Sequence, residues 1–494
     1  MGRRLFPIQP RMPATAAARS MRYALLRLLV TATVALVVGS GCPRRGKSQS
    51  AGARPNVLLI VVDAMRADRL QCYGYGRRTS PNISKVAAEG IVFTNAMAQG
   101  AETPSSIPSL MTGTRPLEHG VLGMRKERSV RLGTGEGPKT LAETLRDHGY
   151  VTGAISVNPL VGAVIGVDRG FQSFEYPILE TIPAWRHGSA ADVNAAAYRW
   201  LDRYHPGAGP FFLYLHYIDT HNLYIPPSRF CVFGRPGYTA ADDRLNVEMN
   251  DVFDPQVLGV GDDWSISDEA LAKHGRSRSE VERLSDLYDD EVLCADYYIG
   301  ELLQRLRQAG LYDNTIIIVT ADHGEAFLEH GQLKHGGSLY QELIRVPLVM
   351  RAPGLRGGQE VDQVVELIDV APTVLEAVGI GQEAPMSGWS FYRALVEGKR
   401  IPSRVAVAEL PFREMYAVRL GDLKLITSPR QVELYDLAHD PHELRNLARE
   451  QPEQVARLKG ALQAELARHP AAKGVARPPS EQEMKALRSL GYVK

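Results

Sequence analysis

The stretch that decides the fold is Asn56–Asp63, which reads NVLLIVVD. Its six central positions are valine, leucine or isoleucine, without the alternation of apolar and polar residues that marks a half-buried strand. Continuous apolar runs of this kind are typical of strands buried on both faces, as in parallel sheets covered by helices. Three further runs have the same character: Phe211–His216, Thr315–Thr320 and Val346–Met350.

Helical patterns lie between these runs. Thr140–His148 and Val281–Gln308 carry apolar residues at the spacing of an amphipathic helix. Strands that alternate with helices predict an α/β fold, with a large, mixed, mostly parallel sheet sandwiched by helices. From about Ile401 short strand candidates and a helix near Pro452–Arg468 predict a smaller C-terminal α+β subdomain. The polar segment Tyr238–His274 is interpreted as a surface insertion.

The first 41 residues resemble a secretory signal. Six arginines in residues 3–27 precede an apolar run at Leu28–Val38 and small residues directly before Cys42. The apolar run is short for a membrane-spanning helix. Two interpretations stay open: a lipoprotein-like signal peptide cleaved before Cys42, and an uncleaved N-terminal anchor. In both, residues 42–54 form a flexible tether, and the protein is exported to the bacterial periplasm or cell envelope and attached to the membrane.

The two remaining parts of the chain are predicted to be a catalytic domain at residues 55–395 and the α+β subdomain at 396–494. The chain has 57 Lys and Arg against 56 Asp and Glu, and nine of the basic residues lie in residues 1–50, which contain no acidic residue. The remainder thus has 48 basic and 56 acidic residues. This mildly acidic balance argues against a nucleic-acid partner.

The cysteines exclude two kinds of small scaffold. Four cysteines in 494 residues, without a C-x-x-C motif, exclude both a disulfide-dense fold and a cysteine-based zinc ribbon. Export would permit disulfides among Cys72, Cys231 and Cys294, but spacing does not select a pair.

Candidate metal ligands follow two of the buried runs. Asp63 comes directly after the first run, and Asp322 and His323 follow Thr315–Thr320. Ligands of open α/β sheets bind at the carboxyl ends of the strands, so these side chains are expected at one edge. A carboxylate and an imidazole are common ligands of divalent metals. A lone aspartate there would more simply cap a loop, so the prediction depends on the whole set.

Thr103 is the candidate nucleophile. It precedes Pro104 in the segment Glu102–Gly113, which reads ETPSSIPSLMTG, and a threonine before proline is typical of a helix N-cap. A hydroxyl at the positive end of a helix is well placed to ionise and to bind an oxyanion. An ordinary N-cap is the alternative interpretation.

Two histidines, His221 and His335, lie after the apolar run at Phe211 and after His323, respectively. Either one alone could be structural. Because both are predicted at the same sheet edge as the metal candidates, we interpret them as functional.

With these motifs in place, the chain resembles the sulfatase family of the alkaline phosphatase superfamily. The resemblance rests on PNVLLIVVDAMRADRLQCYGY, SSIPSLMTG, FFLYLHYIDTHNLYIPP, IIIVTADHGEAFLEHG, HGGSLYQELIRVPLVM and LYDLAHDPHELRNLA. It implies one divalent metal, Ca²⁺, Mn²⁺ or Zn²⁺, held by Asp63, Thr103, Asp322 and His323. It also implies that Thr103 is the nucleophile and that His221 and His335 bind substrate or act as acid and base.

The departures from the family pattern concern the nucleophile. Sulfatases proper carry Cys or Ser in C/S-x-P-x-R, which is oxidised to formylglycine, whereas this chain has Thr103 at the first position and Ile107 at the last. A secondary alcohol cannot give the formylglycine aldehyde. In addition, Ala64 replaces the second of the usual paired aspartates, and Ser156-Val-Asn158 stands where many sulfatases carry a Lys/His motif.

We therefore expect an exported, metal-dependent hydrolase that cleaves sulfate or phosphate esters through a threonine nucleophile. Its substrate would be a sulfated or phosphorylated small molecule, glycan or lipid. Two alternatives stay open. One is a phosphoethanolamine- or phosphoglycerol-type transferase at the membrane, since threonine nucleophiles occur in such enzymes. The other is an inactive protein that binds an anionic glycan.

Overall fold

A computed structural model describes residues 54–122, 129–133, 137–177, 189–235, 237–252, 266–472, 475–477 and 481. The predicted signal or anchor and almost all of the predicted tether lie outside these residues. Within the described ranges, no helix is long and apolar enough to cross a membrane.

The strands belong to one large sheet and several small ones. In chain order they are β1 (Asn56–Val62), β2 (Ile91–Phe93), β3 (Ala96–Met97), β4 (Ser129–Arg131), β5 (Val151–Ser156), β6 (Ser173–Glu175), β7 (Phe211–Tyr217), β8 (Thr315–Thr320), β9 (Ala326–Phe327), β10 (Leu333–Lys334), β11 (Arg345–Val346), β12 (Leu348–Arg351), β13 (Gln359–Val361), β14 (Val365–Glu366), β15 (Ala406–Leu410), β16 (Met415–Leu420), β17 (Leu423–Thr427), β18 (Val432–Asp436) and β19 (Val475–Arg477).

The α-helices vary from a single turn to a helix of 31 residues. In chain order they are α1 (Pro81–Glu89), α2 (Thr103–Thr112), α3 (Pro116–His119), α4 (Leu141–Asp147), α5 (Ala190–Arg203), α6 (Ala240–Val252), α7 (Asp268–Lys273), α8 (Arg278–Gln308), α9 (Gln341–Ile344), α10 (Val370–Ala377), α11 (Tyr392–Glu397) and α12 (Pro452–Arg468).

The large sheet has the strand order β13-β2-β12-β8-β1-β7-β5-β6. Only β12 runs antiparallel to its neighbours, and the other adjacent pairs are parallel. β1 lies in the middle, and all seven of its residues are buried, as its continuous apolar sequence predicts. The predicted mixed, mostly parallel sheet is thus confirmed.

The helices that pack around this sheet form two groups. In one group α8 contacts α1 and α5, and in the other α10 contacts α2 and α4. The predicted helix at Val281–Gln308 is extended by one turn, because α8 begins at Arg278 after a capping box between Ser277 and Glu280.

Two predictions about segments were incomplete. The run Val346–Met350 is divided between β11 and β12 at Pro347, which has no N–H to give to a strand neighbour. The polar segment at 238–274 contains α6 and α7, and Leu245 and Met249 of α6 are buried in the core. That segment is therefore a packed part of the domain where the structure describes it. Cys72, Cys231 and Cys294 are all free thiols.

The C-terminal region contains the antiparallel sheet β15-β16-β17-β18, against which α12 packs. Leu458 and Leu462 of α12 join an apolar cluster with residues of this sheet. The predicted α+β subdomain is confirmed as an architecture, whereas its boundary at residue 396 stays a prediction. A second apolar cluster contains both Met97 and Ala406, so the two regions share part of their packing.

A buried acid on β15 makes stability depend on pH. Oε2 of Glu409 accepts a hydrogen bond from the Leu117 N–H at 3.0 Å, and Oε1 has no hydrogen-bond partner among the described residues. Burial raises the pKa of Glu409 to about 7. Because the folded state holds this proton more tightly than the unfolded state, the associated stability is present at acidic pH and is lost as pH rises through about 7.

We predict that Glu409→Gln is more stable than the wild type above neutral pH, by about 1–3 kcal/mol, and that this advantage disappears near pH 4. The amide keeps an acceptor for the Leu117 N–H but cannot ionise. Chemical denaturation at both pH values measures the difference. The control is Glu414→Gln, at an exposed neighbouring position, which should change little at either pH. An advantage of Glu409→Gln that does not vary with pH would contradict the prediction.

Candidate active site

The register of three parallel strands brings the predicted metal ligands together. Val61 of β1 pairs with Thr320 of β8, so two residues further along Asp63 and Asp322 reach the same level at the carboxyl edge of the sheet. The Asp63 N–H donates to the Tyr217 carbonyl of β7 at 2.9 Å, which continues the ladder past the last residue of β1. Two residues far apart in sequence thus become neighbours.

Asp63 is fully buried and has one partnered carboxylate oxygen. Its Oδ2 accepts a hydrogen bond from Asn158 Nδ2 at 2.6 Å and lies 3.1 Å from His216 Nε2. The Tyr214 hydroxyl lies 2.8 Å from the other ring nitrogen of His216 and completes an arrangement in which Nε2 donates to Asp63. Oδ1 of Asp63 is buried without a hydrogen-bond partner among the described residues.

Asp322 repeats this pattern. Its Oδ1 accepts hydrogen bonds from the backbone N–H groups of Ala64 at 3.2 Å and His323 at 3.0 Å. Its Oδ2 is buried and has no hydrogen-bond partner in the described part of the chain. Ala64 has a φ of 58°, in the left-handed region that non-glycine residues seldom adopt. That conformation accompanies the turn after β1 in which the Ala64 N–H contacts Asp322.

His323 and Thr103 complete the set. Nε2 of His323 lies 3.6 Å from Oδ1 of Asp63, 3.6 Å from Oδ2 of Asp322 and 3.4 Å from Oγ1 of Thr103. Nδ1 of His323 donates to the Gly324 carbonyl at 2.9 Å, which leaves the lone pair of Nε2 directed at the two free carboxylate oxygens. A Cβ at Gly324 would lie 2.0 Å from the Glu342 carbonyl, so this close approach requires glycine.

These four atoms fit one divalent metal ion. An ion with bonds of about 2.0–2.4 Å separates adjacent ligand atoms by about 3–3.6 Å. The three distances from His323 Nε2 to the other donors, 3.4–3.6 Å, agree with this spacing. Two anionic oxygens without partners, an imidazole nitrogen with a fixed tautomer and a hydroxyl are all suitable donors. The site therefore fits the predicted ligands Asp63, Thr103, Asp322 and His323.

The pKa shifts of the residues in the site also favour binding of a cation. Burial, and then the nearby charge of Asp63, raise the pKa of Asp322. Burial would raise the pKa of Asp63 as well, but the hydrogen bond from His216 holds it well below its usual range. Burial opposes charge on His323, yet the carboxylates of Asp322 and Asp63 raise its pKa. A cation between the carboxylates would relieve their repulsion.

Thr103 lies at the positive end of α2, where it is the first helical residue, whereas the sequence predicted it as the N-cap. The helix begins at Thr103 itself, with Glu102 as the N-cap and Pro104 as the second helical residue. Thr103 is buried, and its hydroxyl faces His323 rather than capping the helix. The interpretation as an ordinary N-cap is therefore wrong, and the proposed proximity to the metal donors is found.

The two predicted histidines lie beside the metal donors. The His335 ring centroid is 4.4 Å from that of His323 and 4.8 Å from that of His221. Nδ1 of His221 donates to the Asn222 carbonyl at 2.7 Å, and burial lowers the pKa of His221 to about 4. His221 is thus neutral near pH 7 and suited to accept a proton or a hydrogen bond.

His335 has a different environment. Its Nδ1 lies 3.0 Å from Oε1 of Glu325, a fully buried carboxylate whose Oε2 accepts a hydrogen bond from the Tyr224 hydroxyl at 3.0 Å. His335 is thus held by a buried carboxylate, whereas His221 is held by a backbone carbonyl. The sequence could not distinguish the two histidines in this way.

Sequence reasoning missed Asn158, which contacts Asp63, and Glu325, which contacts His335, and it gave no separate role to His216. Asn158 lies two residues after β5, and Ser156 of β5 pairs with His216 of β7, so the same strand-end argument extends to them. In the sequence, Ser156-Val-Asn158 is notable only because it stands where many sulfatases carry a Lys/His motif. Ile107 is completely buried in the apolar core, so its position contributes no charge to the site.

Comparison with known proteins identifies the family. The sequence model of the sulfatase family matches residues 55–380, and a model described as N-sulphoglucosamine sulphohydrolase, C-terminal, matches residues 329–471. The chain belongs to the sulfatase family. A relative named sulfatase, from Formosa agariphila, is 25% identical over 438 residues, covering 80% of this chain and 83% of the relative. N-acetylglucosamine-6-O-sulfatase from Bacteroides thetaiotaomicron is 25% identical over 468 residues, covering 80% and 82%.

Solved structures of other proteins share the fold. A structure described as a complex with its substrate D-glucosamine-2-N,6-O-disulfate superposes with a TM-score of 0.67 at 21% identity, covering 84% of this chain and 98% of the other. The phosphonate monoester hydrolase of Agrobacterium radiobacter gives a TM-score of 0.66 at 21% identity, covering 86% and 97%. This sulfatase-family protein thus has the family architecture over its catalytic region and its C-terminal subdomain.

We predict opposite effects of Asp322→Asn with and without metal. In a chelator the substitution removes one of two repelling buried charges, so the variant should be more stable than the wild type by about 1 kcal/mol or more. With saturating divalent metal, the wild type should gain stability and the variant should gain much less. Thermal denaturation in both conditions measures the two differences.

Asp313→Asn, at a position whose side chain is 97% exposed, is the control and should leave both values unchanged. If metal stabilises Asp322→Asn as strongly as the wild type, Asp322 is not a ligand.

Proposed function

We propose that this sulfatase-family hydrolase is metal-dependent and cleaves sulfate or phosphate esters with Thr103 as its nucleophile. The observation that carries the proposal is the position of Thr103 Oγ1, 3.4 Å from His323 Nε2 and at the positive end of α2. The same His323 nitrogen lies 3.6 Å from each of two buried carboxylate oxygens that have no hydrogen-bond partner among the described residues.

The ion would be held by Asp63, Asp322, His323 and the Thr103 oxygen. When bound, a divalent ion supplies the charge that lowers the pKa of a hydroxyl and neutralises the oxygens of an anionic ester. An imidazole beside carboxylates suits Mn²⁺ or Zn²⁺, and the oxygen donors also suit Ca²⁺. Activity should therefore be measured with each of the three ions.

The first step transfers the acid group to the enzyme. The Thr103 hydroxyl releases its proton to solvent, and Oγ1 attacks the sulfur or phosphorus while the bond to the leaving oxygen breaks. The N–H groups at the start of α2 can stabilise negative charge that develops on the transferred group. The products of this step are an ester of Thr103 and the released alcohol.

His335 is proposed as the acid that protonates the leaving oxygen. Its Nδ1 is held by Glu325 at 3.0 Å, which fixes the orientation of the ring and leaves Nε2 to donate to the leaving oxygen. His221, with its pKa lowered to about 4, is the better candidate for a neutral partner that accepts a hydrogen bond.

The second step returns the enzyme to its starting state. His335, now neutral, accepts a proton from water, which attacks the sulfur or phosphorus of the Thr103 ester. The bond to Oγ1 breaks, Oγ1 takes a proton from solvent to restore the hydroxyl, and sulfate or phosphate is released. A formylglycine hydrate can expel sulfate by elimination, but a threonine ester lacks that route and must be hydrolysed directly.

The alternatives are less well supported. An inactive binder would have no need for a nucleophile, an imidazole and two buried carboxylates within contact distance. A transferase would pass the Thr103 ester to an acceptor other than water, and a phosphodiester assay with an added acceptor separates it from a hydrolase. The natural substrate is proposed to be a sulfated or phosphorylated small molecule, glycan or lipid.

We further propose that the protein is exported and tethered to the membrane. The arginine-rich start, the apolar run at Leu28–Val38 and the small residues before Cys42 support this. Mass spectrometry of the mature N-terminus would distinguish a lipidated Cys42 from an uncleaved anchor. Recovery of the whole unmodified chain from the cytoplasm would overturn the proposal.

We predict that Thr103→Ala lowers kcat by about 10³-fold or more, whereas Thr103→Ser retains most activity because it keeps a hydroxyl. Aryl sulfate, aryl phosphate and an aryl phosphodiester, each assayed with Mn²⁺, Ca²⁺ and Zn²⁺, identify the preferred ester. Rapid quenching and accurate mass determination should place sulfate or phosphate on Thr103. Turnover that survives Thr103→Ala would refute this nucleophile, and no turnover of any ester by the wild type would favour the inactive binder.

We predict that Glu325→Gln makes the rate more sensitive to the leaving group. The variant should lose about 10²–10³-fold on esters of poorly acidic alcohols and much less on nitrophenyl esters, which need no acid. A general loss of structure would reduce both equally. Tyr224→Phe, which removes only the hydrogen bond to Glu325, should show the same trend to a smaller degree. An equal loss on both kinds of ester would contradict the role of His335 as acid.

A further inference from the structure

A second group of buried donor atoms lies outside the active site. One carboxylate oxygen of Asp219, one of Glu291 and the sulfur atom of Cys294 lie within 4.8 Å of one another. Their exposed fractions are 4%, 3% and 0%. None of the three is a proposed ligand or catalytic residue of the ester hydrolase.

Two elements build this group. Glu291 and Cys294 are three residues apart on α8, a spacing that places both side chains on one face of the helix. Asp219 follows β7 in the segment that leads to His221. The cluster therefore depends on the packing of α8 against the end of β7 and not on a local sequence motif.

Asp219 supplies the observation that points to a ligand. Its Oδ1 accepts a hydrogen bond from the Ala190 N–H at 2.9 Å and lies 3.9 Å from Sγ of Cys294. Its Oδ2 is buried and has no hydrogen-bond partner among the described residues. A buried carboxylate oxygen without a partner is unfavourable unless a proton or a cation neutralises it.

Without a bound cation, burial opposes the ionisation of Asp219 and Cys294. Burial raises the pKa of Asp219 to about 7 and raises the pKa of the Cys294 thiol well above its usual range. A bound divalent ion reverses this, because it deprotonates a coordinating thiol. The charge of Arg229 also acts on Cys294 and would balance part of the negative charge of three ionised donors.

We propose that Asp219, Glu291 and Cys294 form a second cation site for a borderline-soft ion such as Zn²⁺. The thiol selects against Ca²⁺ and Mg²⁺, which take oxygen ligands, while carboxylates and a thiolate both suit Zn²⁺. On binding, the Cys294 thiol gives its proton to solvent and a metal–sulfur bond forms, with no change in oxidation state. The ion would be structural, because the three donors are not among the proposed catalytic residues or active-site ligands.

The site would fix the segment that carries His221. The His221 N–H donates to the Ile218 carbonyl at 2.9 Å, and the Thr220 hydroxyl donates to the Asp63 carbonyl. In the sequence, Asp219 lies between Ile218 and Thr220, the residues that make these two contacts. An ion bound to Asp219 and to α8 would therefore tie the helix to both the metal-binding and the histidine-bearing sides of the active site.

Cobalt substitution of the full-length protein tests the proposal. The metal-depleted wild type, titrated with Co²⁺ alone, should develop the near-ultraviolet absorption of a cobalt–thiolate bond. Cys294→Ser should abolish this band, and Cys72→Ser, which changes a thiol outside the cluster, should keep it. Asp219→Asn preserves the shape of the side chain and should weaken Co²⁺ binding measured at this band by at least about tenfold.

These readouts are separate from the proposed ester hydrolysis, since the proposed active-site ligands include no thiol. Zn²⁺ counted by elemental analysis should fall by one ion per chain in Cys294→Ser and stay unchanged in Cys72→Ser. Circular dichroism of the metal-free variants checks their folding. If Cys294→Ser does not fold, weakened Co²⁺ binding by Asp219→Asn tests the site instead. Absence of a thiolate band in the wild type, or a band that survives Cys294→Ser, would overturn the proposal.

Discussion

The repulsion between two buried carboxylates is the constraint on which the active site depends. Asp63 and Asp322 are both completely buried, and each keeps one oxygen without a hydrogen-bond partner among the described residues. Their other oxygens are fixed by directional hydrogen bonds, so neither side chain can turn away without breaking them. Placing two such charges side by side in an apolar sheet is unfavourable unless a cation joins them. The two carboxylates thus favour a positive charge between them, and Thr103, the proposed nucleophile, has its Oγ1 3.4 Å from Nε2 of the adjacent His323.

The rest of the site follows from how the sheet supports this pair. The parallel register of β1 with β7 and β8 fixes the level of the carboxylates, and the strand ends supply their hydrogen-bond donors. Thr103 comes from a separate element, α2, which brings a hydroxyl and a helix N-terminus to the same point. A threonine needs no oxidation to act as the proposed nucleophile. In the proposed mechanism, hydrolysis of the Thr103 ester is the demanding step, because the formylglycine route is missing, and His335 with Glu325 would assist it.

Much of this could be predicted from the sequence, because strand burial and strand-end chemistry leave local patterns. The continuous apolar runs identify β1 and β8, and the predicted ligands that follow them come together at one edge of the sheet. What could not be predicted depends on contacts between distant segments. Asn158 contacts Asp63 only because β5 lies next to β7, and Glu325 differs from other acids only through its contact with His335. Likewise, α6 appeared polar in sequence, yet Leu245 and Met249 pack into the core once the helix forms. The start of α2 shifted by one residue, since Pro104 fits the second helical position as well as the first.

The central claim is that one divalent ion joins Asp63, Asp322, His323 and Thr103. Anomalous diffraction from crystals of the full-length protein grown with Mn²⁺ tests this most directly. The account predicts a manganese peak bonded at about 2.0–2.4 Å to Oδ1 of Asp63, Oδ2 of Asp322, Nε2 of His323 and Oγ1 of Thr103. A fully loaded crystal in which that position holds no manganese, or in which the Thr103 oxygen lies well outside the coordination sphere, would contradict it.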